Sequence, residues 1–222
     1  MTQPQYTICR LSAPADLESI DWSQALLARV EHFHPHGSDH RPTTDVRVLH
    51  DDEALYVRFD VQDRYVISRC TQYQDPVWRD SCVEFFAQPR ADKGYFNFEI
   101  NCCGVLLASY IEDPTRLPDG VINKCVRLPI ELGSRLTVRS SLTGPIAKEI
   151  EADVAWWLEY RLPLAIMEPY LGPLGEVSGQ TWRGNFFKCG DKTSHPHWAA
   201  WSPIGERLDF HQPDRFGELI FQ

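Results

Sequence analysis

The sequence lacks any run of lysine or arginine, and it lacks any apolar stretch long enough to span a bilayer. Its 22 Lys and Arg residues are outnumbered by 31 Asp and Glu residues, which gives a formal net charge of −9. A chain with this charge and without a basic patch is a poor match for nucleic acid or for an anionic membrane surface. We therefore expect no nucleic acid and no membrane among its partners; the sequence does not indicate an oligomeric state.

Export features and paired cysteine motifs are also missing. The first residues, MTQPQYTICRLSAP, contain neither a basic region nor a continuous apolar region. The 7 cysteines are an odd number without CxxC spacing, which argues against a disulfide framework and against a structural zinc site. We expect reduced thiols and a cytoplasmic location for the chain as written, or an extracellular or periplasmic one if a signal has been removed.

Helical periodicity is scarce, whereas short alternating runs recur along the whole chain. The clearest hairpin joins residues 43–49 to residues 54–61, and residues 113–120 form a proline-containing loop. About ten such strands predict an all-β fold, a single antiparallel, jelly-roll-like β-sandwich domain over residues 1–222. Its predicted core contains side chains from alternating positions: Val57, Phe59, Val83, Phe85, Phe96, Phe98 and Trp156.

A turn that leads directly into a strand is the first candidate site feature. In DPVWRDSCVEFFAQP, residues 75–89, the Asp-Pro pair breaks any helix, so Trp78 lies on a loop at a rim. Along the strand that follows, Glu84 points to the face opposite Val83 and Phe85. The sequence thus predicts a carboxylate on the outer face, below an aromatic side chain.

The next strand, YFNFEIN at residues 95–101, repeats this alternation. If the two strands pair, Glu84, Asn97, Glu99 and Asn101 share one surface with Trp78 above it. A flat aromatic ring beside carboxylates and amides suits a polyhydroxylated ligand, because the ring covers C–H groups while the polar atoms bind hydroxyls. The alternative is an ordinary solvated outer face of a sandwich.

Tryptophan accounts for 7 residues, and Trp78, Trp198 and Trp201 lie on turns flanked by proline. Each of these rings, taken alone, could simply seal an end of the sandwich. If Trp78 and Trp201 lie at the same end, however, they can stack a sugar ring between them. We predict this clamp, with Glu84 and Asn97 as its floor.

Catalytic and metal-binding alternatives have weaker support. A glycoside hydrolase could act through Glu84 and Glu99, with Asp80 as a further carboxyl, but no pattern places two of them on opposite sides of a bond. The GxSxG, GxGxxG and Walker patterns are absent, and no nucleophile motif surrounds any cysteine or histidine.

Four histidines fall close together in EHFHPHGSDHRP: His32, His34, His36 and His40. Alternating histidines can bind a metal, but Pro35 and Gly37 interrupt the regular geometry, so we predict a polar loop.

Several motifs together resemble the family 9 carbohydrate-binding modules. They are Leu-Tyr-Val at residues 55–57, WRDSCVEF at 78–85, YFNFEIN at 95–101, Trp-Ser-Pro at 201–203 and FGEL at 216–219. The resemblance extends from about Thr43 to Phe221 and implies a β-sandwich that binds sugars at the reducing end of a glycan. By position, Trp78 and Trp201 would be the clamp residues and Glu84 a hydroxyl acceptor.

The resemblance also implies a module without activity of its own, usually appended to secreted xylanases and related glycosidases and often with bound calcium. One position departs from the family pattern: where the xylanase-attached modules carry a sugar-binding arginine, this strand carries Glu99 between Phe98 and Ile100. We expect a ligand that differs from theirs in consequence.

Overall fold

The computed structural model describes residues 3–13 and 15–222 of the chain, and most of its regular structure is β-strand. The strands of the described residues are β1 Gln5–Arg10, β2 Ala28–Arg29, β3 His32–Phe33, β4 Thr43–His50, β5 Ala54–Asp63, β6 Val66–Ser68, β7 Cys82–Gln88, β8 Tyr95–Asn101, β9 Leu106–Arg116, β10 Ile122–Arg127, β11 Thr137–Ser140, β12 Ile146–Ile150, β13 Val154–Pro163, β14 Thr181–Cys189, β15 Trp198–Ala200 and β16 Gly217–Phe221. The α-helical turns are α1 Ile130–Gly133 and α2 Glu168–Leu171, and 3₁₀ turns cover Leu17–Ser19, Trp22–Gln24, Val77–Arg79, Leu164–Ile166 and Pro213–Arg215.

The strands form two halves that share β1. The first half has the order β10-β9-β8-β7-β14-β16-β1, and the second has the order β1-β4-β5-β13-β11. Residues 5–8 of β1 pair in parallel with β16, and residues 9–10 pair in parallel with β4. The first strand of the chain therefore connects the last strand to the second half.

The two halves face each other across one apolar core, which is the arrangement of a β-sandwich. Phe59 of β5 meets Phe186 of β14 with ring centroids 6.3 Å apart in an edge-to-face contact. The core predicted from alternation is confirmed, since all of its members are buried in this cluster: Val57, Phe59, Val83, Phe85, Phe96, Phe98 and Trp156.

The prediction of about ten antiparallel strands needs two corrections. The described residues contain 16 strands, and the pairings of β1 with β16 and β4 make the sheet mixed. Strands of two to five residues, such as β2, β3 and β15, are too short to carry an alternating pattern. They exist because a neighbouring strand supplies their hydrogen-bond partners, which sequence periodicity does not report.

Residues 113–116, predicted as part of a loop, belong to β9 and pair with β10. Pro114 is accommodated in the strand because the register shifts between Ile122 and Lys124 of β10, and irregular pairing is where a strand tolerates proline. The β10 side chains are mostly exposed, so this edge strand carries little apolar alternation in its sequence.

No helix in residues 3–13 and 15–222 is long and apolar enough to cross a membrane. The 7 cysteines all lie within the described residues, and each is a free thiol.

Candidate functional site

The candidate site is built on the pairing of β7 with β8. Glu84 lies directly opposite Glu99, and Phe86 lies opposite Asn97. Since side chains alternate along a strand, these four project from the face opposite to the core. The predicted strand pair is therefore present, and it brings two carboxyl groups side by side.

A cavity of about 600 Å³ covers this outer face, within the size range of pockets that hold small molecules. Its floor consists of Glu84, Asn97, Glu99 and Cys189, and its walls come from β9, β10 and the chain around residue 209. Glu84, Asn97 and Glu99 are each at most 5% exposed. The predicted polar face is thus a covered recess and not an open, solvated surface.

Two tryptophans border the cavity, Trp78 and Trp198, and both are half-buried. Trp78 belongs to the 3₁₀ turn that follows Pro76, and Trp198 begins β15. Asp191 joins them: its backbone N–H donates to the Trp78 carbonyl at 3.2 Å, and its Oδ1 accepts from Trp198 Nε1 at 2.7 Å. One acidic residue thereby binds the backbone of Trp78 and the indole of Trp198.

The predicted partner of Trp78 was wrong, because Trp201 does not border this cavity. Trp201 is 8% exposed and packs in the core, 6.3 Å from the Tyr6 ring and 5.6 Å from the Phe186 ring between centroids. Trp198 and Ala200 face outward in β15 while Ala199 and Trp201 face the core. The match of Trp-Ser-Pro to the family pattern favoured the wrong ring.

The electrostatics of the floor favour protonated carboxyl groups. Burial raises the pKa of Glu84 well above its ordinary value, and the neighbouring charge of Glu99 raises it further. Burial also raises the pKa of Glu99 to about 7. The hydrogen bond that Asn97 Nδ2 donates to Glu99 Oε1 at 2.6 Å lowers this pKa, but by less than burial raises it. The Cys189 thiol donates to Glu84 Oε1 at 3.2 Å.

The segment 208–211 forms one wall of the cavity and is held by contacts on two sides. Asp209 makes an ion pair with Arg116 at 3.1 Å, and the Tyr95 hydroxyl lies 2.8 Å from His211 Nδ1. Phe210 stacks on Phe187 of β14 with centroids 4.1 Å apart. Sequence reasoning missed this wall because it approaches β8 and β14 only through the tertiary fold.

Two residues considered with the site lie elsewhere. Asp80 is buried and accepts hydrogen bonds from the Cys70 backbone N–H and from Asn101 Nδ2, each at 2.9 Å. Because Asp80 and Asn101 bind one another, they tie the Trp78 turn to the end of β8. Neither lines the cavity, so Asp80 does not pair with Glu84 or Glu99.

The model of Carbohydrate-binding family 9 matches residues 16–221. The chain belongs to this family. A comparison with curated proteins found no match. Among solved structures, the chain is similar to a candidate carbohydrate-binding protein from Bacteroides uniformis ATCC 8492, with 28% identity, a TM-score of 0.87 and 100% of each chain covered.

Two structures of a family 9 carbohydrate-binding module from Caldicellulosiruptor kristjanssonii show the same fold. The complex with glucose has 15% identity and a TM-score of 0.64, and it covers 99% of this chain and 96% of the module. The complex with cellotriose has 15% identity and a TM-score of 0.65, and it covers 99% of this chain and 94% of the module. At this identity the two likenesses show the fold.

The calcium that family 9 membership implies does not fit the side-chain clusters of this chain. Calcium takes six to eight oxygen ligands. In the described residues, groups of three or more possible ligand side chains occur twice, as His40, Asp63 and His197 and as Cys82, Glu84 and Cys189. Each group offers one carboxyl beside nitrogen or sulfur atoms, which is not the ligand set of a calcium ion.

Neither group is assigned as a site for another metal, because its atoms already bind each other. His40 Nε2 lies 2.8 Å from Asp63 Oδ1, and the Lys188 ammonium lies 2.8 Å from His197 Nε2. In the second group the Cys189 thiol donates a hydrogen bond to Glu84 Oε1.

The four histidines separate only in part in the fold. The rings of His34 and His36 stay in contact, with centroids 4.7 Å apart, whereas His40 turns to Asp63 and His32 is exposed.

Proposed function

We propose that the chain is a non-catalytic carbohydrate-binding module that holds a sugar, such as a glycan end, in this cavity. Trp78 and Trp198 contact the C–H surface of the ring, while Glu84, Asn97 and Glu99 bind its polar groups. The observation that carries the proposal is the combination of half-buried indoles and buried polar acceptors in one recess, which matches the amphipathic surface of a sugar. The structural neighbours complexed with glucose and cellotriose support a sugar ligand.

The position of the two glutamates favours binding over hydrolysis. Glu84 and Glu99 are directly opposite each other on neighbouring strands, so both belong to the same floor. A glycosidase needs its two carboxyl groups on either side of the scissile bond, about 5–9.5 Å apart with the bond between them. A sugar resting on this floor would meet both groups from one side.

The test is calorimetric titration of the purified protein with mono- and oligosaccharides that a glycan array identifies. Trp78→Ala and Trp198→Ala should each weaken binding about tenfold or more, since loss of an aromatic contact costs about 1–3 kcal/mol. Trp157→Ala is the matched control: this indole is also half-buried, but it packs on Arg58 and Arg139 of the second half. The control should bind like the parent protein.

A second measurement separates this proposal from the hydrolase hypothesis. Any array ligand is incubated with the protein, and its products are analysed by chromatography. A binding module leaves the ligand intact. Cleavage that disappears in Glu84→Gln while binding remains would instead establish an enzyme.

A further inference from the structure

The charges that face the cavity do not balance. Four carboxyl groups line it, those of Glu84, Glu99, Asp191 and Asp209, against the guanidinium groups of Arg116 and Arg127. Arg116 is already paired with Asp209. Arg127 is exposed and donates to the Gln74 carbonyl at 2.7 Å.

The floor is the least compensated part of this surface. In the part of the chain that the structure describes, no lysine, arginine or histidine makes an ion pair with Glu84 or Glu99. Two carboxyl groups placed side by side in a buried recess repel each other when both are ionised. Protonation removes that repulsion when the ligand is neutral, whereas a ligand with positive charge would stabilise the ionised carboxyl groups.

Unpaired acceptors point to the same kind of ligand. Glu99 Oε2 and Asn97 Oδ1 are buried and have no hydrogen-bond partner within the described residues. Buried acceptors without donors are costly, so the free recess is poised to receive N–H or O–H groups. With the Glu84 carboxyl, these atoms make three acceptors on one floor.

Resting on the function proposed above, we infer that the preferred ligand is an amino sugar whose ammonium group binds the floor formed by Glu84, Asn97 and Glu99. An ammonium group carries three N–H donors and one positive charge, which matches three acceptors and an uncompensated carboxyl pair. A hydroxyl at the same carbon supplies one donor and no charge. An N-acetyl group removes the charge and adds bulk.

The preference for an amino sugar over its neutral parent should weaken as the pH falls. Burial raises the pKa of Glu99 to about 7 and raises that of Glu84 well above normal. A bound cation favours the ionised carboxyl groups and so lowers both pKa values. Among the other groups facing the cavity, burial raises the pKa of Asp191, and burial lowers the pKa of His211 to about 4. His211 is thus uncharged at pH 7 and supplies no competing cation. Cys125 also lines the wall, and Cys189 lies in the floor.

The experiment compares each amino sugar with its neutral parent by calorimetry at pH 7 and pH 5. The pairs are glucosamine and glucose, galactosamine and galactose, and fully deacetylated chitobiose and cellobiose. For at least one pair we expect the amino sugar to bind at least tenfold more tightly at pH 7. This ratio should fall at pH 5, where the carboxyl pair keeps its protons.

Substitutions of the floor glutamates test whether the floor causes the preference for an amino sugar. Glu99→Gln should reduce the ratio to below about threefold, because it removes one of the two carboxyl groups that attract the ammonium group, and Glu84→Gln serves as a second variant if the first does not fold. Glu176→Gln changes the net charge equally, but at an exposed position outside the cavity, and should keep the full ratio.

Equal or tighter binding of the neutral parents would overturn the inference and leave the proposed function intact. A preference that persists in both floor variants would also overturn it. If none of the six sugars binds and the array is empty, the proposed function itself fails.

Discussion

At the scale of single residues, Trp198 and Trp201 show how two tryptophans three positions apart in the chain take different roles. Trp198 is half-buried at the cavity and bound to Asp191, whereas Trp201 is buried against Tyr6 and Phe186. The ring of Trp201 also fits tightly against Gly217, where an added Cβ would lie 2.4 Å from its Cζ3 atom. One indole is available to a ligand, and the other completes the core.

This difference gives a prediction for stability. Trp201→Ala should lower the free energy of unfolding by about 3–5 kcal/mol, because it removes a large side chain from a packed core. Trp198→Ala should lower it by about 1 kcal/mol or less, since a half-buried ring loses little packing. Urea unfolding followed by circular dichroism measures both values. A folded Trp201 variant with normal stability and no sugar binding would return that residue to the site.

The sequence supports a prediction of the polar floor better than one of the aromatic pair. Glu84, Asn97 and Glu99 follow from alternation, because each lies between side chains that must enter the core. Choosing between Trp198 and Trp201 requires knowing which residues of β15 face the core. β15 has three residues, and its pairing with β14 depends on sequence that is distant in the chain. A run this short does not determine its own register.

At the scale of elements, β7 and β8 combine a core face with a ligand face. Their inner positions are aromatic or aliphatic, and every residue of both strands is buried. The sequence predicted this hairpin because its alternation is long and its partners are near. It did not predict that residues 208–211 cover the outer face, since that contact depends on Arg116, Tyr95 and Phe187 meeting the segment in space.

The burial of charge on this strand pair predicts how stability changes with pH. The pKa of Glu99 is raised in the fold from an ordinary value of 4.5 to about 7. Between these values the unfolded chain loses the proton first, so ionisation favours unfolding as the pH rises. The protonated carboxyl therefore contributes stability below pH 4.5, and that contribution is lost as the pH rises to about 7.

Glu99→Gln should remove the loss of stability that ionisation of Glu99 causes as the pH rises. Relative to the parent protein, the variant should gain on the order of 2 kcal/mol in unfolding free energy between pH 4 and pH 8. Guanidinium chloride titrations at both pH values give the change, and any constant packing difference cancels in the comparison. Glu176→Gln, at an exposed position, should show no such change. A parallel pH dependence for Glu99→Gln and the parent would mean that the fold does not perturb this carboxyl.

At the scale of the whole molecule, a buried ion pair joins the two halves of the sandwich. Lys188 of β14 is fully buried, and its ammonium lies 3.2 Å from Asp63 Oδ2 at the end of β5. His40 and Trp156 complete the contacts of the carboxylate at 2.8 and 3.3 Å. Although burial alone would raise the pKa of Asp63, the Lys188 charge and the His40 contact lower it overall. These groups are distant in the sequence, so no local pattern could reveal the contact.

Breaking one side of this pair should destabilise the whole fold. Asp63→Asn or Lys188→Met should each lower the unfolding free energy by about 3–5 kcal/mol, because the remaining partner is a buried charge that has lost the opposite charge beside it. The double variant Asp63→Asn/Lys188→Met should lose less than the sum of the two single variants, since it leaves no charge behind. Chemical denaturation of all four proteins completes the cycle.

The exposed pair Arg10–Asp52, with an N–O distance of 2.5 Å and side chains 46% and 57% exposed, provides the control. Asp52→Asn should cost about 1 kcal/mol or less, because water already screens both charges. The lowered pKa of Asp63 also predicts how the stability of the parent protein changes in acid. The stability that Asp63 supplies is present above its ordinary pKa of 3.8 and is lost as the pH falls toward its lowered value in the fold. The parent should therefore lose stability below about pH 4 more steeply than the double variant, and equal slopes for the two proteins would show that the ion pair does not hold the halves together.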